Sequence, residues 1–148
     1  MTQLSLSEAH AAAKASPGVI LFTVSVIADG ATSMARVYSS HPDVYPVGGR
    51  KTLDGQTSPV WYEQVVEGGN PFLGADVAAV RSFFFDSATI ESLGCGAIIN
   101  VPVRHDGATI GSINFLDREG AYDERSVAAA LRIAEQVVDA LRAAALTV

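Results

Sequence analysis

Two stretches of strand-like sequence, each turned back at an Asp-Gly step, constrain this 148-residue chain more than anything else in it. Residues 19–27, VILFTVSVI, are apolar and β-branched and read as a buried strand. Asp29-Gly30 is a strong two-residue hairpin signal, and TSMARVYSS at 32–40 reads as the return strand. The second hairpin runs from CGAIINVPV at 95–103, around Asp106-Gly107, into TIGSINFL at 109–116.

Register converts these strands into faces. Pairing Ala28 with Ala31 sets Thr23 opposite Arg36, Ser25 opposite Met34 and Leu21 opposite Tyr38. The other face then collects Phe22, Val24, Val26, Ala35 and Val37. A one-residue slip would carry Arg36 onto that apolar face, so the two-residue turn is favoured. In the second hairpin, a three-residue loop from His105 to Gly107 pairs Arg104 with Ala108. It gathers Ala97, Ile99, Val101 and Val103 with Gly111, Ile113 and Phe115, and leaves Asn100, Ser112 and Asn114 together on the opposite side. A two-residue turn would split the two asparagines between faces and bury an amide, at a cost of about 1–3 kcal/mol.

The remaining elements surround the hairpins. Ser5 and Glu8 have capping-box spacing at the head of an Ala-rich helix over 6–15, stopped by Ser16-Pro17-Gly18. Residues 41–56 are rich in Pro and Gly and read as a long loop. Helical segments are expected over 58–67 and 87–93, the second capped by Asp86, while 76–84 is open between a short helix and a strand. Asp123 caps a long last helix reaching about Ala145. This order predicts an α+β fold: one central antiparallel sheet, with terminal helices on one face and loops and short helices on the other. A single domain over 1–148 is expected.

Composition excludes several classes. Net charge is −6 and the ten basic residues form no stripe, which argues against nucleic acid. No apolar stretch approaches the length of a membrane span, and the first residues lack a signal-peptide pattern, so a cytoplasmic location is expected. One cysteine and three dispersed histidines predict neither a disulfide nor a metal site, and no cofactor is expected. Cys95 alternates with Ala97 and Ile99, which puts it on the apolar face as a buried, inert thiol.

The mixed face, too polar for a plain core and too apolar for open solvent, fits a partly covered pocket. Arg36 there can clamp a carboxylate or phosphate, with Tyr38, Tyr45, Asn100, Ser112 and Asn114 as further ligand contacts. His41, Lys51 and Glu91 are the candidate proton-transfer groups. The alternative for the polar groups is that they are bonded to the covering loops.

At INVPVRHDGATIGSINFLDREGAYDERSV the chain resembles the GAF family, through Pro102-Val103, Gly107, Gly111, Phe115 and Tyr122. The resemblance extends more weakly over residues 5–145, as a small GAF protein standing alone. It implies a small-molecule pocket between the sheet and its covering loops, and pairing through terminal helices. Three functional branches are not matched. Asn70-Pro71-Phe72 lacks the Lys of the cyclic-nucleotide signature, and Cys95 lies between glycines rather than beside the His of bilin-binding members. Ile98 and Asn114 stand where free methionine sulfoxide reductases carry acids.

Val127, Leu131, Ala134, Val138, Leu141 and Ala145 have the spacing of a coiled-coil seam, which points to a homodimer. Two functions follow as expectations. The first is a binding module for a small organic acid or similar metabolite. The second is a small cofactor-free isomerase, hydrolase or lyase using the same pocket.

Overall fold

A computed structural model describes residues 2–148. Its centre is a six-stranded antiparallel sheet of order β3-β2-β1-β6-β5-β4. The strands are β1 (Leu21–Ala28), β2 (Ser33–Ser39), β3 (Arg50–Thr52), β4 (Phe72–Gly74), β5 (Ala97–His105) and β6 (Ala108–Asp117). The helices are α1 (Leu6–Ala15), α2 (Pro59–Trp61), α3 (Val77–Phe83), α4 (Ser87–Ser92), α5 (Glu124–Glu135) and α6 (Val138–Ala145). A π-helical stretch, Tyr62–Glu67, continues α2. The fold is α+β, as its element order predicts.

Strand alternation sorts the core into two layers. Phe22, Val24, Val26, Ile99, Val101, Ile113 and Phe115 face the terminal helices, where they meet Ala13, Ala130, Ile133, Val137 and Leu141. Leu21, Met34, Ile98 and Leu116 face the other way, with Trp61, Val65, Val80, Phe84 and Ile90. α1 opens with a reciprocal capping box, Ser5 Oγ accepting from the Glu8 N–H and Glu8 Oε1 accepting from the Ser5 N–H.

Both hairpins keep the expected faces by a different route. The first closes with four residues, so Ala28 pairs with Ser33 and Ser25 with Arg36. Side chains stabilise the wider turn: Asp29 Oδ2 accepts from Ser33 Oγ and from Arg50 Nε (3.0 Å), and Thr32 Oγ1 donates to the Asp29 carbonyl (2.7 Å). A shift of two residues leaves side-chain parity intact. A bulge beyond Ser25 and Arg36 then breaks it, so that Tyr38 pairs with Val24 and joins the helix-facing layer. The second hairpin has the two-residue turn, with His105 opposite Ala108, but a bulge between Val103 and Arg104 restores parity. Asn100 therefore lies directly opposite Asn114.

Two elements interrupt the sequence expectations. β3 lies inside the segment read as a loop, held against β2 through Arg50 and Lys51. The last helix is two helices, and the N-terminal segment fills the break: the Leu4 N–H donates to the Gln136 carbonyl (2.7 Å), and Gln3 Oε1 accepts from the Asp139 N–H (3.1 Å). Ala134 and Leu141 turn inward to the sheet while Leu131 points out, so the six residues do not form one continuous seam.

β6 passes very close to β1 and α6 at Gly111. A Cβ there would strike the Ser25 carbonyl oxygen and come within 2.8 Å of Leu141 Cδ2. Gly111→Ala is expected to cost about 1–3 kcal/mol through this overpacking. It should appear as a lower urea midpoint with an unchanged denaturant slope.

Candidate functional site

The mixed face of the sheet forms the floor of a cavity of about 370 Å³. Thr23 and Ser25 of β1, Met34 and Arg36 of β2, Asn100 of β5, and Ser112 and Asn114 of β6 line that floor. The walls come from the Val44–Pro46 loop, β3 with Lys51, Trp61 at the end of α2, and Phe84–Asp86 leading into α4. Arg36, Tyr45, Lys51, Asn100, Ser112 and Asn114 are thus brought together. Tyr38, His41 and Glu91 are not.

The neutral polar groups bond mainly to one another. Trp61 Nε1 donates to Asn100 Oδ1 (2.9 Å), and Asn100 Nδ2 donates to Asn114 Oδ1 (2.8 Å). Asn114 Nδ2 in turn donates to Thr23 Oγ1 (3.1 Å), while Ser112 Oγ donates to Asn114 Oδ1 (3.1 Å). This chain satisfies buried amides that would otherwise be costly in an apolar layer. Among the described residues, neither the Thr23 hydroxyl proton nor the second Asn100 N–H has a partner.

The charges are arranged differently. Arg36 Nη1 donates to the Pro46 carbonyl (3.0 Å), and its guanidinium carbon lies 5.0 Å from the centre of the Tyr45 ring. Its Nε is buried with no partner among the described residues. Gly49 makes this placement possible, since a Cβ there would approach Arg36 Nη1 to 2.5 Å. Lys51 Nζ lies 5.2 Å from the Trp61 ring centre and 5.7 Å from that of Phe84. No acidic side chain pairs with it among the described residues. Burial lowers the pKa of both cations; Asp86 partly opposes this for each, and Arg36 adds to the lowering at Lys51.

Asp86 is the one carboxylate of the cavity lining. The sequence suggested an N-cap for α4, yet Asp86 makes no side-chain cap bond. It accepts instead from Tyr45 Oη (2.6 Å), which ties the Val44–Pro46 loop to the segment before α4. Burial and this donation push the Tyr45 phenol well above its ordinary value. No local pattern announces a contact between residues 41 positions apart. Trp61, within the segment read as helical over 58–67, is both buried and part of the cavity wall.

The three residues outside the cavity have other partners. Glu91 is drawn to Arg81 on α3 (2.7 Å), an exposed pair between neighbouring helices. Tyr38 Oη shares a 2.8 Å hydrogen bond with His10 Nδ1, because the β2 bulge turns it toward α1. His41 Nδ1 shares a 2.8 Å bond with Ser40 Oγ, which itself accepts from the Phe22 N–H (2.9 Å). Cys95 is buried as expected, but it precedes β5 and packs in the cavity-side layer. Desolvation pushes its thiol up to about 11. Among the described residues, no helix is long and apolar enough to cross a membrane, and no three His, Cys, Asp or Glu groups converge as metal ligands.

A family model described as GAF domain matches residues 4–142. The chain is similar in structure to the GAF domain of a two-component sensor histidine kinase from Bacillus halodurans, with a TM-score of 0.71 at 9% identity, covering 96% of this chain and 94% of that one. It is also similar to the GAF domain of the Acinetobacter phosphoenolpyruvate-protein phosphotransferase, with a TM-score of 0.70 at 12% identity over 96% and 85%. A third likeness is to the type II free methionine-R-sulfoxide reductase of Thermoplasma acidophilum, with a TM-score of 0.66 at 16% identity over 93% and 89%. At these identities the likenesses show a shared fold. No curated protein matches the chain.

Two outcomes are expected from these contacts. Asn100→Ala strands Trp61 Nε1 and takes from Asn114 Oδ1 one of its two donors, and should cost about 1–3 kcal/mol, read as a loss of unfolding free energy. His10 stacks on Phe22, and burial, then Lys14 and His41, lower its pKa from 6.5. The unfolded chain therefore takes up this proton first. The stability given by neutral His10 is full above about pH 6.5 and is lost as pH falls through the lower folded value. His10→Gln should flatten the fall in stability over that window, measured by urea unfolding at several pH values.

Proposed function

The chain belongs to the GAF domain family, a family of small-molecule-binding regulatory domains, and from that premise we propose that its sheet cavity binds a small organic acid. The observation that carries this reading is the charge balance of the lining. Arg36 and Lys51 face the cavity against a single carboxylate, Asp86, which is itself engaged by Tyr45. Arg50 also borders the cavity, but its Nε is paired with Asp29 at 3.0 Å. In a chain of net charge −6, a net positive cavity is a local feature with a local use.

Arg36 is the clamp in this reading. A guanidinium held by the Pro46 carbonyl and the Tyr45 ring keeps further N–H groups for a carboxylate, and its fixed plane suits two parallel bonds. Asn100 and Thr23 supply neutral contacts, while Leu21, Met34, Ile98 and Leu116 offer apolar surface to the rest of the ligand. Binding is favoured over the enzymatic alternative because His41 and Glu91 are bonded outside the cavity, which leaves only Lys51 of the three proton-transfer candidates named from the sequence. Pairing of two copies through the terminal helices belongs to the same proposal, supported by the outward-facing Leu131 and Leu146.

Small mono- and dicarboxylates should raise the melting temperature, and the corresponding neutral amides should not. Arg36→Ala should weaken the binding of a stabilising acid about 10- to 100-fold, the worth of one charge-assisted pair. Titration calorimetry of the acid and its amide against both proteins measures this. Equal affinity in the variant would remove Arg36 from the site.

A further inference from the structure

We propose that Lys51 is a covalent attachment point for an oxo acid: Arg36 holds the carboxylate, and the Lys51 amine captures the aldehyde or ketone carbon as an imine. The proposal rests on the acid-binding reading above and adds to it a task for the second cation.

The sheet register puts the two groups side by side. Lys51 lies opposite Met34 in the β2–β3 ladder, and Arg36 follows Met34 by two residues. Both side chains therefore leave the same face at diagonal positions, about 7–8 Å apart at their bases. Two long side chains from such positions can reach neighbouring functional groups of one small molecule, as an oxo acid requires.

The surroundings of Lys51 suit a nucleophile better than a simple counter-charge. A lysine serving only as a positive charge normally reaches water or an acid. Here Nζ lies between the Trp61 and Phe84 rings and has no ion-pair partner among the described residues. Desolvation favours its neutral form, which carries the reactive lone pair; Asp86 partly opposes this and Arg36 adds to it. The contrast lies within the same chain. It contains two lysines, and the other, Lys14, is exposed on α1.

The step balances without any further reagent. The Nζ lone pair forms a C–N bond to the carbonyl carbon while the C=O π pair moves onto oxygen. The two amine hydrogens pass to that oxygen, which departs as water and leaves a C=N bond. Asp86, the lining carboxylate bonded to Tyr45 Oη, is the group available to accept and return a proton. Addition of water reverses the linkage, so the guest is held without being consumed.

The test uses 2-oxo-4-methylpentanoate and 4-oxopentanoate, each beside its hydroxy acid, on the full chain. Incubation with sodium cyanoborohydride followed by intact-mass and peptide analysis should give one adduct, heavier than the protein by the acid less one oxygen atom. The adduct should map to Lys51, with Lys14 and the N-terminal amine unmodified. Lys51→Arg keeps the charge but cannot form an imine, and it should lose the adduct. If oxo and hydroxy acids stabilise the wild-type protein equally and no adduct maps to Lys51, the imine is overturned while the acid pocket stands. Modification of Lys14 to the same extent as Lys51 also overturns it. If no acid stabilises the protein and no adduct forms, both readings fail.

Discussion

Asn100 and Asn114 face each other across the β5–β6 ladder, and the hydrogen bond between their amides fixes the floor of the cavity. Asn100 also receives Trp61 Nε1, and Asn114 donates onward to Thr23 of β1. Three strands and one covering helix are thereby locked to a single polar line. The members are bonded in series, so removing Asn100 breaks two bonds at once and leaves the buried Trp61 Nε1 without its acceptor. The layer between sheet and covering segments can therefore be partly polar without collapsing into water or closing into solid core.

On that floor the charged groups are held by contacts that leave them unspent. Arg36 gives one N–H to a backbone carbonyl, and among the described residues Lys51 gives none to an acid. Asp86 is turned toward Tyr45 by a 2.6 Å bond. Were Asp86 paired with Arg36 instead, the lining would hold a closed ion pair and little field for a guest. The phenol thus keeps the acid and the guanidinium apart, and it bridges the two covering segments at the same time.

Much of the sheet was legible because side-chain alternation has a period of two. The apolar faces and the joint placement of Arg36, Asn100, Ser112 and Asn114 follow from parity alone, and parity survives a two-residue register shift. What parity does not survive is a bulge. In β2 the bulge sends Tyr38 to α1, while in β5–β6 it rescues a turn that would otherwise have split the asparagines. Nothing in the local sequence marks either position. The same holds for contacts between distant segments: Gln3 and Leu4 divide the last helix, Tyr45 takes Asp86 from its capping role, and Arg81 takes Glu91 from the cavity.

The position of Gly49 shows how loop and charge depend on one another. β2 and the loop exchange backbone bonds here, the Arg36 N–H donating to the Gly49 carbonyl and the Gly48 N–H to the Arg36 carbonyl, both at 2.8 Å. This draws the loop directly over the guanidinium, where any side chain at position 49 would displace it. The missing side chain lets the Pro46 carbonyl and the Tyr45 ring hold Arg36 in place. In the proposed binding of an organic acid, the anion would meet a cation already oriented, with little rotamer freedom left to lose. The loop that reads in sequence as Pro- and Gly-rich irregularity is, in the fold, the part that fixes the charge.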